Sequence, residues 1–374
     1  MSGFAVRGWC PDAWRPMQAG DGLLVRVKPR LARMTRAQLR GLCDAALVHG
    51  NGLIDLTSRG NLQIRGVTEA EWRPLVERLI VLGVVDRDPD IEMRRNLLVA
   101  PDWQAGDDTH RIASDLLEAL PRLPALPSKM GFVIDAGPMP VLADAPGDFR
   151  IERDGQGHLI LRADGRARGA RVAMGDGAAA LIRLAHWFVE SGGIGSGRMR
   201  RHAAPLPDWA AERIAPAAPA KPIAPGSTAL GVALGVPLGQ LDAALLADAL
   251  GAEGAGVRIT PWRILLVEGS GPHAATLIAD PANPLLRTDA CVGAPGCSQA
   301  SVDTRTLARQ LAPLVSGQLH VSGCVKGCAR ARVADVVVTG RDGRFDLAFD
   351  ARAGAPPTHA GLTPDALLDL FGTD

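Results

Sequence analysis

Leu53-Ile54-Asp55-Leu56-Thr57-Ser58-Arg59-Gly60-Asn61-Leu62-Gln63-Ile64-Arg65-Gly66 reads as two short strands joined by a tight turn at Ser58-Arg59-Gly60. A run of the same plan stands later, Gly256-Val257-Arg258-Ile259-Thr260-Pro261-Trp262-Arg263-Ile264-Leu265-Leu266-Val267-Glu268-Gly269. Aligning Thr57 with Thr260 puts Gly66 on Gly269, a constant offset of 203 residues, and we read an internal duplication. The copies differ in polarity. In the first, Arg59, Asn61, Gln63 and Arg65 share one strand parity and form a polar ledge, while Leu62 and Ile64 face away. The equivalent 262–267 is almost wholly apolar.

Working outward from the first copy, Leu23, Val25 and Val27 share one face and Arg26 and Lys28 the other, the period of a half-buried strand. Thr35 with Gln38 reads as a capping box. Leu39, Leu42, Cys43, Ala46 and Leu47 then form a helical stripe that ends at Gly50-Asn51-Gly52. Thr68 and Glu71 open another helix, to about residue 83. Strand, helix, strand, strand, helix over 26–83 is a ferredoxin-like or split βαβ plan. Beyond it the pattern predicts a helix over 109–120, strands at 131–135, 158–162 and 170–174, and a helix over 178–190. Residues 193–197 read as a flexible loop, and the proline- and alanine-rich 203–226 as a linker. The second copy starts with a strand at 229–234 and a helix over 238–250.

The chain of 374 residues, with 47% hydrophobic and 22% charged residues, has room for several soluble domains, and no segment approaches a membrane span. Lys plus Arg number 41 against 40 acidic residues, so the overall charge argues for neither nucleic-acid nor membrane partners, and any anion site must be local.

Four of the six cysteines lie near the C-terminus, Cys291 and Cys297 as C-x5-C and Cys324 and Cys328 as C-x3-C. Zinc knuckles are tighter, whereas an iron–sulfur cluster accepts longer glycine-lined loops, so these residues read as ligands of a [4Fe–4S] cluster rather than scattered structural thiols. With no long apolar signal segment ahead of the chain, a reducing cytoplasm is expected. His320 reads as a plain strand residue and Cys10 as a buried arm cysteine, each with a weaker claim to the metal region. None of the eight histidines pairs as H-x-H or H-x-x-x-H.

These segments, together with Arg95-Asn96, Leu126-Pro127-Ser128-Lys129 and the run Val321 to Arg330, resemble the sirohaem-dependent nitrite and sulfite reductase superfamily in order and spacing from about residue 22 to 350. Within it, the arm Arg7-Gly8-Trp9-Cys10-Pro11 with Gly20-Asp21-Gly22 is similar to the precorrin-3B synthase branch. The resemblance implies an α+β fold of duplicated ferredoxin-like half-domains plus iron–sulfur and tetrapyrrole-binding domains. The expected division is an arm at 1–20, a first half-domain at 21–100, a tetrapyrrole-binding domain at 101–202, the linker at 203–226, a second half-domain at 227–285 and a cluster domain at 286–374. It further implies that Arg59 and Gln63 hold tetrapyrrole carboxylates, with Asn61 and Arg65 of the same ledge as further binding candidates, and that Arg26, Arg95 and Lys129 are the catalytic cations. Cys328 takes the place of the cysteine next to the tetrapyrrole iron.

One departure stands at Gly131, where the reductases carry a second Lys or Asn; this weakens an anion reductase. The implied activity is a mono-oxygenase of aerobic cobalamin synthesis acting on precorrin-3A with dioxygen. It would carry the cluster and a mononuclear non-haem iron whose ligands the sequence does not reveal. The alternatives are a sirohaem-dependent nitrite or sulfite reductase and a non-catalytic electron carrier. No flavin or nicotinamide domain is visible, so electrons are expected from a ferredoxin or an NAD(P)H-dependent reductase.

Overall fold

A computed structural model describes residues 10–250, 256–269 and 276–372. The arm motif Arg7-Gly8-Trp9 therefore lies outside the described residues. The first half of the chain runs β1 (Met17–Ala19), β2 (Gly22–Val27), β3 (Arg33–Met34), α1 (Arg36–His49), β4 (Leu53–Leu56), β5 (Leu62–Val67), α2 (Glu69–Val81), α3 (Pro89–Arg94), β6 (Leu97–Val99), α4 (Asp108–Glu118), β7 (Phe132–Ile134), β8 (Phe149–Arg153), β9 (Leu159–Ala163), β10 (Ala170–Arg171) and α5 (Gly177–Glu190). The second repeats it: β11 (Gly226–Thr228), β12 (Gly231–Gly235), β13 (Gln240–Asp242), α6 (Ala243–Leu250), β14 (Val257–Ile259), β15 (Ile264–Glu268), β16 (Thr288–Ala290), α7 (Arg305–Leu311), β17 (Leu319–Ser322), β18 (Ala334–Arg341), β19 (Arg344–Ala351), β20 (His359–Leu362) and α8 (Pro364–Gly372).

The local signals act as read. Thr35 Oγ1 accepts from Gln38 N and the Gln38 side chain accepts from Thr35 N, closing both ends of the box. Leu39, Leu42, Cys43 and Ala46 are buried, whereas Leu47 is 46% exposed and leaves the stripe. The turn is the same in both copies. Thr57 Oγ1 accepts from Arg59 N and Asn61 N, and Thr260 Oγ1 accepts from Trp262 N and Ile264 N. Gly60 has φ 64° and its counterpart Arg263 φ 60°, so the turn enforces a left-handed residue even where no glycine stands.

The pairing of strands departs from two self-contained half-domains. One sheet has the order β1-β2-β5-β4-β13 and the other β11-β12-β15-β14-β3, so each half lends a short strand to the other's edge. Residues 240–242, read as the start of a helix, are that lent strand; Leu238 before it has φ 52°, which no helix tolerates. One apolar core spans both sheets, from Val25, Leu39 and Ile64 to Leu241, Val257 and Leu265, so neither half-domain has a core of its own.

The duplication also continues through the second pair of sheets. The orders β6-β7-β8-β9-β10 and β16-β17-β18-β19-β20 match, each with two parallel pairings followed by two antiparallel ones. Leu97, Phe132 and Phe149 lie in register in the first, as Thr288, Leu319 and Val336 do in the second. Each of these sheets carries its own core. The proline-rich stretch is pinned along the first of them, with Gly169 N donating to Ile214 O and Ala217 N to Arg153 O. Residues 193–196 form a short 3-10 turn in place of a flexible loop.

The lent strand β3 is fastened by charge. Arg33 Nη2 and Nε donate to Glu268 at 2.7 and 2.8 Å, and Arg258 Nε donates to the same carboxylate at 2.7 Å. The Arg33 bonds, joined by those of Arg258 and Gly256 N, outweigh burial and pull Glu268 down to about 2. Its folded pKa lies below the unfolded value of about 4.3, so its contribution is full above that value and fades as pH falls towards 2. Glu268→Gln should lower stability in urea by about 1–3 kcal/mol at pH 7, the more exposed Arg33 arm counting least, and the gap from wild type should shrink between pH 4 and pH 2.

Candidate active site and cluster cradle

The C-terminal ends of the parallel strands β16 and β17 turn directly into the cysteine loops, which brings Cys291, Cys297, Cys324 and Cys328 to one cavity of about 430 Å³. All four thiols are free. Burial first, and then the charge of the three other cysteines, raises the Cys328 thiol, with Lys326 pulling the other way. Among the described residues no three His, Cys, Asp or Glu side chains converge on a point that holds a single metal ion. A cluster asks for no such convergence, because each thiolate binds its own iron.

The backbone is shaped for sulfur. Gly323 N donates to Cys291 Sγ at 3.1 Å, the kind of bond that tunes a thiolate ligand. A Cβ at Gly323 would stand 2.6 Å from Ala300 Cβ and 3.5 Å from Cys291 Sγ, inside the cradle. Thr304 Oγ1 donates to Cys291 O at 2.7 Å and Cys297 N to Gly293 O at 2.8 Å, fixing the first loop. The residues present fit an iron–sulfur cluster. His320 lies on β17 with neither ring nitrogen partnered among the described residues; burial pushes it down to about 4 and keeps it neutral.

The first half reaches into this cradle. Gly20 N donates to Gly296 O at 3.2 Å, and a Cβ at Gly20 would meet Pro295 O at 2.3 Å, so only glycine permits the approach. Arg65 lines the same cavity, but its guanidinium is committed: to Asp21 at 2.6 and 2.9 Å, Asp55 at 3.2 Å and Gly296 O at 2.8 Å. Burial opposes its charge, and the bonds to Asp21 and the field of Asp55 override burial and raise its pKa. Arg65 is therefore a strut under the cluster loop, with no donor directed at a carboxylate ligand.

The remaining expected residues separate into three groups. Lys129 lines the cluster cavity, and its Nζ has no hydrogen bond or ion pair among the described residues. Arg59 donates to Lys129 O at 3.2 Å and, with Asn61, borders a separate small cavity with Gly131 and Pro146. Gln63, with its amide oxygen turned to Arg26, accepts from Arg26 Nη2 at 2.6 Å and Nε at 3.1 Å. Burial lowers Arg26, offset in part by Cys10 beside it, while Arg59 adds to the lowering. The ledge is thus not one continuous surface.

Arg95 is a correction. It is 3% exposed and donates to Glu92 at 2.5 Å, Lys28 O at 2.6 Å and Val84 O at 2.9 Å, so it holds α3 to β2 and the turn after α2 and does not enter the cavity. Asp21, Asp55 and Gly296 went unnoticed in the sequence. The exchange of lent strands carries no local signal, although an aspartate two residues before the Leu23–Val27 strand and one in the middle of the 53–56 strand are the acids that a buried Arg65 needs.

Residues 15–82 match the nitrite/sulfite reductase ferredoxin-like half domain. A precorrin-3B synthase of Sinorhizobium sp is 30% identical over 94% of this chain and 84% of its own. The chain belongs to the precorrin-3B synthase family. It is thereby an enzyme and an oxidoreductase of the tetrapyrrole-handling superfamily. A ferredoxin–nitrite reductase of Synechococcus elongatus is 25% identical over 90% of this chain and 80% of its own. The solved structure of the NirA protein of Mycobacterium tuberculosis shares the fold, with a TM-score of 0.61 and 19% identity over 93% of this chain and 79% of that one. Among the described residues no helix is long and apolar enough to cross a membrane.

Gly323→Ala should lower iron and acid-labile sulfide per purified chain at least as far as Cys328→Ser does. Gly195→Ala, where a Cβ meets nothing within 4 Å, should leave both at the wild-type level.

Proposed function

We propose that the chain converts precorrin-3A to precorrin-3B with dioxygen, as a mono-oxygenase of cobalamin synthesis that holds a [4Fe–4S] cluster on Cys291, Cys297, Cys324 and Cys328. The observation that carries this is the sharing of one cavity by four cluster-type thiols and the uncommitted cation Lys129. One oxygen atom hydroxylates the meso carbon between rings A and D, the ring A acetate closes as a γ-lactone, and the other atom leaves as water. The cluster supplies electrons singly when bound, which dioxygen chemistry needs. A mononuclear iron remains part of the reading; its ligands are not among the groups the structure brings together.

This chain's residues supply binding and charge. Lys129 Nζ meets a substrate carboxylate in the cavity, and Arg59, carried by its bond to Lys129 O, presents its remaining donors beside it. Arg26 is fixed by Gln63 and Cys10 at the strand just behind. Met17, Ala19, Leu24 and Val292 give the cavity an apolar wall for a macrocycle.

Gly131 favours the synthase over an anion reductase. A Cβ there would stand 2.8 Å from Asn96 O, so the backbone has closed over the place where a second cationic side chain would begin.

Anaerobically purified protein, given a chemical reductant, dioxygen and precorrin-3A, should form the hydroxylactone. Lys129→Ala should raise KM by about tenfold, the loss of one charge-assisted bond. A sirohaem Soret band in the purified protein, with nitrite turnover and no hydroxylactone, would overturn the reading in favour of the reductase.

A further inference from the structure

A chain of near-neutral overall charge gathers six arginines around one open groove of about 510 Å³. Arg150 and Arg162 are drawn inward by Glu152, and Arg198 by Asp148. The other three point outward. Arg200 and Arg332 are 64% and 69% exposed and face Asp164 and Asp144 loosely, at 3.5 and 3.3 Å. The guanidinium of Arg201 has no partner among the described residues, and Asp144 and Asp164 are the only acids in the wall. The rest of that wall is Ala143, Ala145 and Pro146, too little apolar surface to receive a planar macrocycle. What fits such a rim is the carboxylate-studded face of another protein.

The groove also lies in the right place for a redox partner. Arg332 follows Cys328 by four residues, a span the chain limits to roughly 14 Å. Its pair with Asp144 bridges the cluster half and the first half, so the groove straddles both. On the reading above, electrons come from a separate protein. We propose that this groove docks an acidic iron–sulfur electron carrier, which is oxidised by one electron there as the cluster on Cys291, Cys297, Cys324 and Cys328 is reduced.

The test uses full-length, cluster-loaded protein and, as probe, an acidic plant-type [2Fe–2S] ferredoxin kept reduced by its flavoprotein reductase. Arg200→Glu with Arg201→Glu should weaken ferredoxin binding in calorimetry by about tenfold at low salt and slow ferredoxin-driven bleaching of the cluster by a similar factor. Bleaching by dithionite should stay at the wild-type rate, and Arg200→Lys with Arg201→Lys should keep most of the binding. Arg332→Glu, in the other half, repeats the test should the double variant fail to fold. Wild-type protein that does not bind the ferredoxin, or charge-reversed protein that binds and bleaches normally, overturns the proposal. So does a variant that keeps ferredoxin binding and loses precorrin-3A binding, which assigns the groove to the substrate. Bleaching needs no precorrin, so absence of hydroxylactone would sink the proposed reaction and leave this test standing.

Discussion

A single buried guanidinium holds the functional region together. Arg65 joins Asp21 in the β1–β2 turn, Asp55 in β4 and the carbonyl of Gly296 in the cluster loop. Asp55 in turn receives Arg305 of α7 at 2.8 Å and Gln240 of the lent strand β13 at 3.4 Å. Six segments from both halves thus meet on two cations and two carboxylates. Removing Arg65 would leave Asp21 without an ion pair and Asp55 with Arg305 alone, which is more destabilising than the pair itself is stabilising. The geometry of the cluster loop therefore depends on a residue some 230 positions away in sequence, at a separation of 231.

The second half solves the same problem with the signs exchanged. Asp55 aligns with Arg258 and Arg65 with Glu268, so the acid–base pair is inverted between copies. In each half the cation crosses to the loop that follows the first parallel strand of the other half. Arg65 reaches Gly296 O beyond β16, and Arg258 reaches Pro101 O at 2.8 Å beyond β6. The crossing is reciprocal, as the strand exchange is. What the first half carries at that loop is Ala100-Pro101, and what the second carries is Cys291. The scaffold is symmetric, and the four cysteines stand at one end of it.

Local structure was legible because its causes are local. A threonine capping box, a Thr-anchored turn and period-2 strands each depend on residues within a few positions, and the cysteine pairs declare themselves by spacing. The polar ledge was half legible. Parity separates Gln63 and Arg65 from Leu62 and Ile64, but it does not say that Arg65 finds two acids while Arg59 stays near the cavity. Arg95 misled for the same reason: Glu92, three residues earlier on the same helical turn, claims it before any ligand can. The lent strands and the doubled second sheet were hidden. Two- and three-residue edge strands carry no periodicity, and the parallel sheets match in register while sharing almost no residue types.

The asymmetry between the copies shows in what each turn does. Trp262, the counterpart of Arg59, packs among Ala100, Val141 and Ile264 in two small apolar clusters, sealing that side of the duplication. Arg263, the counterpart of Gly60, turns its guanidinium onto Thr288 O and Leu286 O and braces the strand that leads to Cys291. In the second copy the turn is filled and serves as support. In the first it ends on a glycine, and Arg59 beside it donates to Lys129 O and borders a small cavity. The duplicated scaffold thus has one turn filled by side chains and one that ends on glycine, while Arg65 of the first copy reaches across to hold the cysteine loop at Gly296 O.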